Sequence, residues 1–111
     1  LILDDRVEVL RAVERLFALY FDPVYCALTP PQAEALLREN KPRFLLCDYW
    51  LGEQYPPATG FLPRWRAAYP CLERVALMSG TNSASIPPCA AVDAVFEKPL
   101  DSPRIVKFFA Q

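Results

Sequence analysis

The sequence predicts a doubly wound α/β domain: a five-stranded parallel sheet with helices on both faces. Five short, nearly unbroken apolar runs lie along the 111 residues, separated by segments of helical spacing or turn chemistry. Strands that read as continuous apolar runs are buried on both faces, as in parallel sheets whose crossovers carry helices. Right-handed crossovers then narrow the topology to a doubly wound sheet. The third observation is chemical. Acidic, hydroxyl or lysine residues stand directly after four of the five runs, where such a sheet opens its functional crevice.

Leu1 to Leu3 reads as the end of a first strand, closed by Asp4-Asp5. From Arg6 onward, Val7, Leu10, Val13, Leu16, Phe17 and Tyr20 recur on one face, with Glu8, Arg11, Glu14 and Arg15 opposite. That pattern predicts an amphipathic helix. Asp22-Pro23 stops it, because a proline disfavours helical backbone at the residue before it. Val24 to Leu28 is the second strand. Thr29-Pro30 supplies an N-cap and a proline at the first helical position. The helix it opens runs to about Glu39 with Ala33, Leu36 and Leu37 inward.

Arg43 to Cys47 is the third strand and ends at Asp48. Residues 49–59 form a long loop. Gly60 to Tyr69 reads as a helix with Pro63 in its first turn, and Phe61, Trp65 and Tyr69 as packing residues. Arg74 to Met78 is the fourth strand, ending at Ser79-Gly80. Residues 81–91, with Pro87-Pro88, read as a loop with at most a short helix. Val92 to Phe96 is the fifth strand, running into Glu97-Lys98-Pro99. Asp101 or Ser102 caps a last helix carrying Ile105, Val106, Phe108 and Phe109. The two adjacent phenylalanines are expected to be partly exposed and to mark a contact with a missing domain or a dimer partner.

This length suits one domain, taken as residues 1–111. Hydrophobic residues at 53% and charged residues at 23% provide for a core and argue against disorder. The net charge is −1 and no long basic run occurs, which argues against direct nucleic-acid binding. The apolar runs are far shorter than a membrane span. Cysteines at 26, 47, 71 and 89 are widely spaced and read as buried, reduced thiols of a cytoplasmic protein. The chain has no histidine, so it cannot use imidazole catalysis or be a phosphohistidine donor. It opens on Leu1 without a signal peptide and reads as a piece of a longer protein, with any effector domain outside it.

Asp4, Asp5, Asp48, Ser79 and Lys98 are thus expected at one edge of the sheet, brought there by separate strands. Clustered carboxylates repel one another unless a cation relieves them, and Mg²⁺ is the hard, oxygen-seeking ion suited to that task. A lysine and a hydroxyl beside them can neutralise and hydrogen-bond phosphoryl oxygens. A carboxylate can itself be the nucleophile and become an acyl phosphate.

These residues, in Leu3-Asp4-Asp5, Leu46-Cys47-Asp48, Met78-Ser79-Gly80 and Glu97-Lys98-Pro99, make the whole chain resemble the response-regulator receiver family. The spacings fit as well: 43 residues from Asp5 to Asp48, 31 more to Ser79 and 19 more to Lys98. The resemblance implies the flavodoxin-like three-layer (βα)5 fold with strand order 2-1-3-4-5. It implies that Asp48 is the phosphoacceptor in a two-component system, and that Asp4, Asp5, Asp48 and the Trp50 backbone carbonyl hold Mg²⁺. Ser79 would follow the phosphoryl group, Lys98 would bridge to its oxygens, and Lys98-Pro99 would be cis. The implied partners are a histidine kinase or a phosphotransfer protein, with homodimerisation open and no nucleic acid or membrane. The domain would be a signalling module and not an enzyme.

The chain also departs from the family. The position three before the lysine, usually aromatic, is Val95, and alternation sends Phe96 to the opposite face. The glycine common about eight residues after the acceptor is Gly60, twelve residues on. Trp50 occupies a position that is often polar, and its indole is expected to shield the acyl phosphate. A second reading therefore stays open: a pseudo-receiver that binds partners without phosphorylation. An aspartate-based phosphatase of the haloacid dehalogenase kind ranks last, because Trp50 stands where that class needs a second aspartate.

Overall fold

The computed structural model describes residues 1–80 and 85–110. Its five strands are β1 (Ile2–Leu3), β2 (Cys26–Ala27), β3 (Phe44–Asp48), β4 (Arg74–Ser79) and β5 (Ala94–Glu97). They form one sheet in the order β2-β1-β3-β4-β5. Every pairing is parallel. The four helices among the described residues are α1 (Val7–Phe17), α2 (Pro30–Asn40), α3 (Leu62–Ala68) and α4 (Ser102–Ala110). A short 3-10 turn, Ala58–Gly60, precedes α3. The expected architecture and strand order are therefore present.

Period-two alternation divides the sheet between two cores. Leu3, Leu45, Cys47, Val75 and Leu77 face the side covered by Ala33 and Leu37 of α2 and Leu62 and Trp65 of α3. Ile2, Leu46, Ala76, Met78 and Phe96 face the side covered by Leu10, Val13 and Phe17 of α1 and Ile105 and Phe109 of α4. Val95 packs against the first core while Phe96 belongs to the second, as alternation requires.

Local chemistry explains several boundaries. Thr29 caps α2 by accepting a hydrogen bond from the Gln32 amide at 3.3 Å, with Pro30 in the first turn. Lys41 ends that helix in the left-handed conformation at φ 49°. The Lys98-Pro99 bond is cis as expected, and Asp22-Pro23 is cis as well.

Some expectations need correction. β2 spans only Cys26–Ala27, because the neighbouring β1 offers just two residues to pair with. The helix expected from Gly60 is split into the 3-10 turn and α3, while β5 starts at Ala94 and not Val92. Val7 and Tyr20, assigned to the inner face of α1, are exposed: Val7 occupies the first turn and Tyr20 lies beyond the helix end. Phe108 and Phe109 differ, Phe108 partly exposed and Phe109 buried. Phe109 is buried beside Phe17 and Phe44, and Phe108 packs edge-on against Phe96. Of the cysteines only Cys47 is buried, and the other three are partly exposed. The loop expected over 81–91 falls partly on 81–84, outside the described residues, and 86–91 form irregular backbone and turns.

No helix therefore separates β4 from β5 among the described residues. A cleft of about 300 Å³ lies there, bordered by Leu77, Pro87, Cys89 and Val95. Arg66 of α3 ties this region together. Its guanidinium donates to the Ala91 carbonyl at 2.9 Å, the Asp93 carboxylate at 2.8 Å and the Glu73 carbonyl at 2.9 Å. The same Asp93 oxygen accepts the Val75 amide at 2.9 Å. Hydrogen bonds to a charged group contribute more than neutral ones, so Arg66→Ala is expected to cost about 1–3 kcal/mol. Urea unfolding measures it, and an unchanged midpoint would show that the clamp contributes nothing.

Candidate functional site: an acidic cluster at the carboxyl edge of the sheet

The carboxyl ends of β1, β3, β4 and β5 bring four sequence segments to one edge. Asp4 follows β1 directly and is fully buried. An Asx-type turn fixes it: its Oδ1 accepts the Arg6 amide at 2.9 Å, just where the chain turns into α1. Asp5 is exposed beside it. Asp48 is the last residue of β3, paired in register with Met78 and only 7% exposed. Ser79, the last residue of β4, is buried and pairs in register with Glu97. The Lys98 amide donates to the Ser79 carbonyl at 2.8 Å, which carries the β4–β5 ladder up to the lysine.

The three acids form a compact donor set. One carboxylate oxygen from each of Asp4, Asp5 and Asp48 lies within 4.8 Å of the others. Lys98 Nζ stands 3.4 Å from Asp4 Oδ2 and 3.6 Å from Asp48 Oδ1. One ammonium is thus shared by two of the three carboxylates. An all-oxygen set with this charge suits a hard divalent cation such as Mg²⁺, which keeps several waters and takes only a few protein ligands.

Electrostatics follow the geometry. Burial pushes the Asp48 carboxyl from 3.8 up to about 6; Asp4 pushes in the same direction, Lys98 partly offsets both, and Asp5 adds a smaller upward push. Cys47, one residue earlier and fully buried, has a thiol held well above its ordinary range by burial and then by Asp48 and Asp4.

Trp50 lies two residues past Asp48, and its side chain is 51% exposed. Tyr49 and Leu51 on either side of it pack into the core shared with α2 and α3. The sequence did not single out Arg6, whose amide orients Asp4. The aspartate placed just before a helical pattern was the available signal.

The raised Asp48 value has a thermodynamic consequence. The folded chain binds a proton at Asp48 more readily than the unfolded chain, so folding takes up protons between about pH 4 and pH 6. The stability from this group is full below about pH 4 and is lost as pH rises through about 6. Without divalent ions, Asp48→Asn is therefore expected to be more stable than the parent near neutral pH, on the order of 2 kcal/mol, and to lose that advantage in acid. Urea titrations with a chelator across this range measure it. A parent as stable as the variant at neutral pH would contradict the assignment of strain to Asp48.

No protein-family model matches the chain. No curated protein matches it in sequence either. Solved structures do match in fold. The chain superposes on a signal receiver domain of an HD domain-containing protein from Pseudomonas fluorescens Pf-5 with a TM-score of 0.84 at 18% identity, covering 99% of this chain and 89% of that one. A CheY-like response regulator receiver domain protein from Methanospirillum hungatei JF-1 gives 0.81 at 18% identity, covering 98% and 87%. A response regulator from Thermotoga maritima gives 0.79 at 19% identity, covering 98% and 91%. The topology and these near-complete superpositions agree: the chain has the fold of the response-regulator receiver domains.

Proposed function

We propose that the chain is a phosphoacceptor receiver module of a two-component system, with Asp48 the residue phosphorylated. The observation that carries the reading is the meeting of three carboxylates with Lys98, 3.6 Å from Asp48, at the carboxyl edge of a receiver fold. In this reading Asp4, Asp5, Asp48 and the Trp50 carbonyl hold Mg²⁺. The ion would supply the positive charge that an incoming phosphoryl group needs beside three acids.

The chain's own residues divide the remaining work. An Asp48 oxygen attacks phosphorus, so Asp48 must be ionised; Lys98 favours that state and burial opposes it. Lys98 then exchanges part of its pairing with Asp48 for the phosphoryl oxygens. The Ser79 hydroxyl is the hydrogen-bond donor at the end of β4. The added dianion biases Ser79, Lys98 and their loops between two arrangements, which is a population shift. A histidine kinase or phosphotransfer protein is the proposed donor, and the module is a signalling domain with no turnover of its own substrate.

The pseudo-receiver reading keeps one supporting observation. Val95, which packs against the core beside Leu77, stands where the family usually carries an aromatic.

Mg²⁺-dependent labelling with a small phosphodonor tests the main reading. Asp48→Asn is expected to abolish labelling and Lys98→Ala to reduce it at least tenfold, roughly 1.4 kcal/mol of transition-state stabilisation. Labelling that persists in Asp48→Asn, or is absent from the parent, would favour the pseudo-receiver. The shielding expected of Trp50 is measured separately: Trp50→Asn should lose the acyl phosphate faster than the parent.

A further inference from the structure

The chain carries two tryptophans, and the fold treats them oppositely. Trp65 is 1% exposed and packs against Phe61 in the core, ring centroids 4.5 Å apart at a 47° tilt. Trp50 is 51% exposed and belongs to neither core. The chain at this point is not loose. The Tyr49 amide donates to the Met78 carbonyl at 2.8 Å and the Tyr49 carbonyl accepts the Ala58 amide at 2.9 Å, while Leu51 is buried. Residue 50 is thus held between two anchored neighbours.

Its direction follows from theirs. Cys47, Tyr49 and Leu51 all pack toward the core of α2 and α3. Asp48 and Trp50 lie outside that core, and Trp50 is left facing solvent. A large aromatic surface is therefore kept out of the core, on a fixed stretch of chain, two residues past the carboxylate that would take the phosphoryl group.

The identity of the leaving group decides what that surface can do. An acyl phosphate donor releases a carboxylate, an anion departing among Asp4, Asp5 and Asp48. A phosphorylated imidazole enters with its second ring nitrogen protonated. The Asp48 oxygen attacks phosphorus, the P–N bond breaks with its electron pair going to the ring nitrogen, and neutral imidazole leaves. Phosphorus ends as the acyl phosphate on Asp48. Only this second donor presents a flat, cationic ring, and an indole face attracts both properties through stacking and cation–π attraction.

We propose that Trp50 is a donor-selecting platform: its indole stacks on the leaving group and favours phosphorylated imidazoles over acyl phosphates. The proposal rests on the receiver reading above and adds to it the residue that would discriminate between donors. Trp50 acts on the departing ring and Asp48 performs the transfer.

The test compares monophosphoimidazole with acetyl phosphate. Second-order rate constants for Mg²⁺-dependent labelling are measured with each donor on the parent, Trp50→Ala and Trp50→Phe. The ratio of the two constants is the readout, because metal loading and general damage to the site affect both donors. Trp50→Ala is expected to lower the ratio about fivefold, and Trp50→Phe to keep it within about twofold of the parent. A ratio unchanged in Trp50→Ala overturns the proposal and leaves the receiver reading standing. So does a Trp50→Phe variant that falls as far as Trp50→Ala, since the aromatic face would then be irrelevant. Failure of the parent to label with either donor overturns both readings together.

Discussion

A parallel sheet packed on both faces has no place for charge along its strands, so charge collects where the strands stop. This constraint organises the molecule. β3 and β4 are apolar through their buried interiors, and at the carboxyl edge they give way to Asp48 and Ser79. β1 gives way to Asp4 and Asp5, and β5 is followed by Lys98. The same register that aligns the backbone aligns these side chains. A slip of one residue in β3 would send the Asp48 carboxylate to the opposite side and break the cluster.

The edge so formed is electrostatically unfinished. Asp4 is fully buried, yet it is steadied by a backbone amide and an ammonium. Asp48 is nearly as buried, and the Lys98 ammonium stands 3.6 Å from its Oδ1. The raised Asp48 carboxyl expresses that imbalance. Binding sites and stable cores make opposite demands here. The core needs the acids neutralised, whereas a site for a cation and a phosphoryl group needs them available.

Much of the fold was legible because the chain writes it in strong patterns. Leu45-Leu46-Cys47 and Val75 to Met78 are apolar at every position, and runs this short between turn residues suit strands buried on both sides. Thr29-Pro30 states its helix start chemically. The site was legible for the same reason, since its residues are defined by where apolar runs end. Packing of residues outside such runs was less so. Val7 and Tyr20 share the helical period of α1, but the period does not say where along the helix the sheet stops covering it. Phe108 and Phe109 looked alike in sequence, and only the docking of α4 on Phe17 and Phe44 separates them. The Arg66–Asp93 contact joins residues 27 apart in sequence with no local signature at all.

That contact also decides how β5 is held. Asp93 both donates its amide to Val75 and accepts the Val75 amide on its side chain, so the start of β5 is riveted to the start of β4. Lys98 lies at the opposite end, past the last residue of the strand. β5 is therefore fastened at both ends, because there the Lys98 amide is bonded to the Ser79 carbonyl at 2.8 Å. The backbone beneath Lys98 is pinned, and the freedom left to its ammonium is that of its own flexible stem.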